Sequence, residues 1–138
     1  MHLPMGFIAG LKVVSFSETQ VQVSVPYKFL NKNPFRSIYF AVLAMAAELS
    51  SGLSAMAALE NATVPVSMLV LNMKADFIKK AKSRIIFSCS DGNKIRKAIA
   101  KSIETGEGQT AEVMATGTDE KGEEVAKFWF TWTFKPKS

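Results

Sequence analysis

The chain has 138 residues, of which 48% are hydrophobic and 21% charged. That balance excludes a disordered chain, and the length suits a single domain, residues 1–138, around one core. Seventeen Lys and Arg against twelve Asp and Glu leave a net charge of +5, which favours anionic partners: nucleic acid, an acidic membrane surface or a phosphorylated ligand. The one cysteine, Cys89, rules out an internal disulfide and a Cys-rich metal site, so a reduced, cytoplasmic setting is the default. The start has no basic segment leading into a long apolar run, and no signal peptide is expected.

Residues 11–16 form a short apolar run, and Ser17-Glu18-Thr19 has the make-up of a hairpin turn. Val21, Val23, Val25, Tyr27 and Phe29 then alternate with Gln20, Gln22, Ser24, Pro26 and Lys28, which predicts a strand with one buried face. Pro26 cannot donate to a ladder and points to a sheet edge or a bulge. Asn31-Lys32-Asn33-Pro34 is loop chemistry, and Ser37 is the expected N-cap of a helix over residues 37–59.

That helix is apolar on nearly every side, through Ile38, Val42, Leu43, Met45, Leu49, Leu53 and Met56, so it should be enclosed by other structure. Its small residues, among them Ala41, Ala44, Ala47, Gly52 and Ala55, would let a sheet approach closely along roughly 34 Å of axis. Glu48 stands alone within it. An ionisable group in such a setting is costly unless something pairs with it or uses it. A membrane span would carry that carboxyl near its centre at a cost of several kcal/mol, so no membrane span is expected.

Residues 66–78 alternate Leu69, Leu71, Met73, Ala75 and Phe77 against Met68, Val70, Asn72, Lys74 and Asp76. Ile85, Phe87 and Cys89 share one side of a strand over residues 84–90, which makes Cys89 a packing thiol. Asp91-Gly92-Asn93 opens a short amphipathic helix with Ile95, Ala98, Ile99 and Ile103 at helical spacing. Residues 109–118 and 125–135 form the last two strands around an Asp119-Glu120-Lys121-Gly122 turn. The final strand sets Phe128, Phe130, Trp132 and Phe134 opposite Trp129, Thr131 and Thr133. Six antiparallel strands with a long helix after the second and a short one after the fourth make an α+β architecture, the sheet wrapped round the long helix.

The run Asn33-Pro34-Phe35-Arg36-Ser37-Ile38-Tyr39-Phe40-Ala41, followed by Glu48, resembles the signature of hotdog-fold acyl-CoA thioesterases of the phenylacetyl-CoA thioesterase group. In that signature an Asn precedes a Gly, a His-Gly-Gly at the helix start and an acid further along. Laid on Asn33, the pattern places its Gly at Arg36, its His at Tyr39, its Gly pair at Phe40 and Ala41, and its acid at Glu48. Val23-Ser24-Val25-Pro26-Tyr27 is similar to the family's second strand, and Lys74 to Ala81 to a later one. The Asn-Pro-Phe-x-Ser-x-Tyr-Phe-Ala entrance and the helix after Asp91 look like a branch of the superfamily without an assigned activity. The resemblance covers almost the whole chain and implies a hotdog fold.

The resemblance also implies a binding site between subunits of a homodimer, which can pair further into a tetramer. Glu48 would act as general base or nucleophile on an acyl-CoA or related thioester. The Phe40 amide, with that of Tyr39 or Ala41, would form the oxyanion hole, and Tyr39 could hydrogen-bond the carbonyl. Asn33, Arg36, Ser37 and Ala41 would contact substrate. Lys79, Lys80, Lys82 and Arg84 would lie near the nucleotide phosphates, with coenzyme A entering only as part of the substrate and no separate cofactor. His2 is the only histidine, so no Ser-His-Asp or Cys-His site can be assembled, and no metal-ligand spacing is present. Loss of the His-Gly-Gly residues leaves a second reading, a non-catalytic binder of acyl-CoA or fatty acid. A third, a nucleic-acid-binding module, rests on charge and exposed aromatics alone and is disfavoured.

Overall fold

The computed structural model of the chain describes residues 10–28, 38, 40–60 and 62–137. Its strands are β1 (Lys12–Phe16), β2 (Val21–Val25), β3 (Val66–Phe77), β4 (Ile85–Cys89), β5 (Gln109–Thr118) and β6 (Glu124–Pro136). Its helices are α1 (Phe40–Glu60) and α2 (Gly92–Thr105). The strands form one sheet in the order β1-β2-β4-β5-β6-β3, with every neighbouring pair antiparallel. The long helix α1 packs on β2, β4 and β5, and α2 lies beside it on β5 and β6. This is the hotdog fold, with α2 as the extra helix after the fourth strand.

Period-two alternation decides which side chains meet the helices. Val21, Val23 and Val25 of β2, Ile85, Phe87 and Cys89 of β4, and Phe128, Phe130, Trp132 and Phe134 of β6 are all buried. Against them α1 presents small groups, Ala46, Ala47, Ser50, Ser51, Ser54 and Ala55, so that backbone and sheet come close. Two of the three serine hydroxyls bond within the helix: Ser50 donates to the Ala47 carbonyl at 2.7 Å and Ser51 to the Glu48 carbonyl at 3.0 Å. Among the described residues α1 is the one helix long and apolar enough to cross a membrane, yet 44% of that stretch is buried against the fold.

Two local readings of the sequence change. Val21–Val25 is paired on both sides, by β1 and β4, and ends before Pro26; the proline stands just past the ladder, not at an edge or bulge. In β3 the ladder slips between Val70 and Asn72. Met68 and Val70 therefore lie opposite Phe134 and Trp132, whereas Met73 and Ala75 lie opposite Phe130 and Phe128. The extra residue switches the phase, so Leu69 and Leu71 are left outside, 64% and 62% exposed, although strict alternation would group them with Met73 and Phe77.

The second helix is fixed at both ends. A Cβ on Gly92 would collide with the Glu18 carbonyl oxygen, so only glycine lets α2 begin against the β1–β2 turn. The Asp91 carboxylate does not cap the helix; it accepts the Met114 N–H of β5 at 2.8 Å and ties the helix start to the sheet. Gly106, at φ 72°, closes the other end by donating its N–H to the Ser102 carbonyl.

Phe128 is the centre of the aromatic core. Its ring lies parallel to that of Phe130 at 6.1 Å between centroids and meets Phe87 and Phe77 edge-on at 5.7 and 5.6 Å. Phe128→Ala should lower unfolding stability by about 3–5 kcal/mol in urea titrations, the cost of truncating a fully buried Phe. A loss under about 1 kcal/mol would mean that these rings do not form the core.

Candidate functional site

Two contacts bracket the first three turns of α1. At its start, Phe40 meets Phe77 of β3 edge-on at 6.4 Å, and Phe77 passes the contact inward to Phe128. Three turns on, the Trp132 indole N–H donates to the Ser51 hydroxyl at 3.0 Å, with the side-chain-free face of Gly52 against the same ring. Glu48 lies on the turn between these anchors. Because α1 sits over β2, β4 and β5, the sheet-inner side of β3 is left without helix cover at Met73 and Phe77, 51% and 54% exposed. Phe40, at 57%, opens onto the same region.

The helix is therefore not enclosed all round, as its composition led one to expect. Ala41 and Glu48 are exposed and Met45 is half-buried on one side of its first half, whereas Gly52 and Ala55 farther along that side are buried. Glu48 is an open carboxylate in the single chain, and among the described residues no side chain pairs with it. Its desolvation cost is avoided, not offset. The Ser51 hydroxyl accepts from Trp132 while donating to the Glu48 carbonyl, so one hydrogen-bonded relay fixes the rotation of the turn that carries the acid.

The helix entrance and the basic segment are joined. Ile38 is buried and donates its N–H to the Ala81 carbonyl at 2.8 Å, which places residues 79–84 beside the start of α1. Lys79, Lys80 and Lys82 line a cleft of about 450 Å³ with Ser83, Lys121, Asp119 and Glu120. Arg84 is exposed but does not line that cleft. The Lys79 ammonium bridges Glu123 and, at 2.9 Å, Asp119. Those hydrogen bonds, Glu123 first, raise the Lys79 pKa, and the bond from Lys79 holds Asp119 below the usual carboxylate range. Lys79 is thus occupied in bracing the β5–β6 turn, where the Asp119 carboxylate also accepts the Lys121 and Glu123 amides.

Of the remaining expected site residues, Asn33, Arg36, Ser37 and Tyr39 lie outside the described residues, as does His2. Cys89 is buried, and desolvation pushes its thiol up to about 11, so it is a packing group and not a nucleophile. Among the described residues no three His, Cys, Asp or Glu side chains are grouped to hold a metal. Sequence reasoning did not single out Met73, Phe77, Ser51 or Trp132 as parts of this region. The β3 slip hid the first two, and a serine–indole bond across 81 positions leaves no local pattern.

The chain belongs to the family described as a domain of unknown function, DUF4442, whose model matches residues 4–134. It is similar in structure to a Pseudomonas aeruginosa protein of unknown function named a probable thioesterase, with a TM-score of 0.82, 23% identity, and 98% of this chain and 89% of that one covered. A Chlorobaculum tepidum protein of unknown function aligns at a TM-score of 0.84 with 15% identity, covering 99% and 88%. A Haemophilus influenzae thioesterase aligns at 0.71 with 13% identity, covering 96% and 82%. At these identities the likeness establishes the fold. No curated protein sequence matches the chain.

Ser51→Ala should leave the Trp132 N–H buried without a partner and cost about 1–3 kcal/mol in urea unfolding. Trp132→Phe removes the donor as well, and the double variant should lose less than the sum of the singles. Strict additivity would show that the two side chains are not coupled.

Proposed function

We propose that this protein hydrolyses an acyl-CoA or related thioester, in a site shared by two copies of the chain. The observation that carries the reading is Glu48: among the described residues an exposed carboxylate with no paired side chain, beside the half-buried Met45 and two turns beyond the Phe40–Phe77 contact at the helix start. The thioesterase names of structural neighbours and the +5 net charge support it.

Helix geometry argues for two copies. Phe40 and Glu48 are eight residues apart, roughly 12 Å along the axis, so one chain's helix-start amide and its own carboxylate cannot both touch one carbonyl group. A second copy running antiparallel across the open side of α1 would bring its Glu48 to the first chain's helix start. The long unpaired edge of β3, with Leu69 and Leu71 outward, suits a sheet-to-sheet junction in such a homodimer, and two dimers can pair into a tetramer.

In that site the helix-start amides of Phe40 and of Tyr39 or Ala41 hold the oxyanion, favoured by the positive end of the helix dipole. Glu48 takes a proton from water, which adds to the thioester carbonyl; the tetrahedral intermediate then collapses with loss of the coenzyme A thiol. As a nucleophile, Glu48 would instead form a mixed anhydride that water opens. Tyr39 would hydrogen-bond the carbonyl, and Asn33, Arg36 and Ser37 would contact the substrate. Lys80, Lys82 and Arg84 meet the nucleotide phosphates, with Lys79 holding the turn beneath them. A soluble cytoplasmic setting fits this chemistry.

A free-thiol release screen across acyl-CoAs of several lengths tests the reading. Glu48→Gln should lower kcat/KM by about 10²–10⁴-fold with the fold unchanged. An unaltered rate in that variant excludes catalysis by Glu48. The exposed Phe40 ring at the helix start, where the resembling enzymes carry glycine, favours a second reading, a binder of acyl-CoA or fatty acid. That reading predicts thermal stabilisation by acyl-CoA with no thiol released.

A further inference from the structure

Apart from Glu48, the C-terminal end of α1 and one stripe of α2 border a second, open cleft of about 370 Å³. Its α2 wall is Arg96, Ile99, Ala100 and Ile103, positions i, i+3, i+4 and i+7, so these four share one helix face. Ala58 and Ala62 form the opposite wall. The volume falls within the roughly 300–1,000 Å³ of small-ligand sites, and the lining is aliphatic apart from the Thr63 hydroxyl, Arg96 and Glu104.

One end carries an uncompensated cation. The Arg96 guanidinium donates to the Glu18 carbonyl and to the Asn93 side-chain oxygen, both neutral, and among the described residues no carboxylate pairs with it. Those two bonds use part of its five-donor fork and leave N–H groups for a ligand. Lys94, Lys97 and Lys101 add to the field along α2, against Glu104 as the helix's only acid. Glu104 lines the cleft eight residues beyond Arg96, roughly 12 Å along the axis, at the far end.

We propose that this cleft binds a fatty acid, its alkyl chain between Ala58, Ala62, Ile99 and Ile103 and its carboxylate on Arg96. A single apolar chain ending in one negative charge matches both the aliphatic walls and the one-ended positive potential. The alternative anion, an acidic membrane surface, needs a broad outward apolar face, whereas Ile99 at this cleft is buried and Ala58 and Ile103 are half-buried. The site is separate from Glu48 and does not depend on hydrolysis there.

The test is a decanoate titration, below its micelle concentration, followed by amide shifts of the full-length protein. Saturable shifts should appear at Ile99, Ala100 and Ile103, and decanol should bind at least about tenfold more weakly than decanoate. Arg96→Gln should weaken decanoate by about tenfold or more, and Arg96→Lys should restore most of the affinity. Ala100→Trp, which fills the rim from an exposed position, should abolish binding without using Arg96 at all. Glu48→Gln should leave the titration unchanged. Shifts confined to the Phe40–Glu48 turns, equal binding of decanol, or full binding to Ala100→Trp would overturn the proposal while leaving the reading of Glu48 intact.

Discussion

The Trp132 indole donates to Ser51, and Ser51 donates to the carbonyl of Glu48. This relay, with Gly52 against the same ring, sets the rotation of α1 on the sheet. A helix made almost wholly of Ala, Ser, Leu and Met has little side-chain shape to choose its own orientation. A directional bond to an indole buried in β6 supplies that choice, because an unpaired buried N–H is expensive. Once the rotation is set, Leu43, Ala46, Ala47 and Ser50 turn inward and Glu48 turns out. Every functional statement about the acid follows from that.

The same seating leaves the sheet half-clothed. α1 covers β2, β4 and β5, α2 covers β5 and β6, and β3 keeps its inner residues Met73 and Phe77 open and its edge unpaired. A strand of twelve residues with an open ladder and outward leucines is a poor surface for a lone molecule and a good one for a partner strand. The exposed Phe40 and Phe77 thus meet at the helix start, with Met73 on the same face of β3, where association would bury apolar surface.

Much of this architecture could be read from alternation and helical spacing. The strands over residues 85–89, 109–118 and 124–136 announce their inner faces plainly, and the amphipathic pattern after Asp91 locates α2. What escaped was phase and side. The β3 slip at Leu71 needs a partner strand to be visible, since a bulge is a property of a ladder and not of a run of residues. Pro26 reads as an edge or bulge residue because nothing before the proline marks the strand's end at Val25. An all-apolar helix has no moment to say which side is open, so Glu48 could be singled out by its rarity but not placed. No local pattern marks residues 79–84 as neighbours of the helix entrance; in the structure the Ile38–Ala81 hydrogen bond joins them. Lys79, grouped by sequence with its neighbours, is drawn away by Asp119 and Glu123.

The central claim is that one copy's Glu48 works at the other copy's helix start. Subunit mixing tests it most directly. Glu48→Gln removes the acid, and Phe40→Pro removes the amide at a first-turn position where proline is tolerated. Each homodimer should be inactive towards acyl-CoA. After mixing and exchange, each heterodimer should hold one site with both groups intact, restoring about a quarter of parental thiol release. Parental activity in either single variant, or no recovery on mixing despite proven exchange, would contradict a site built from two chains.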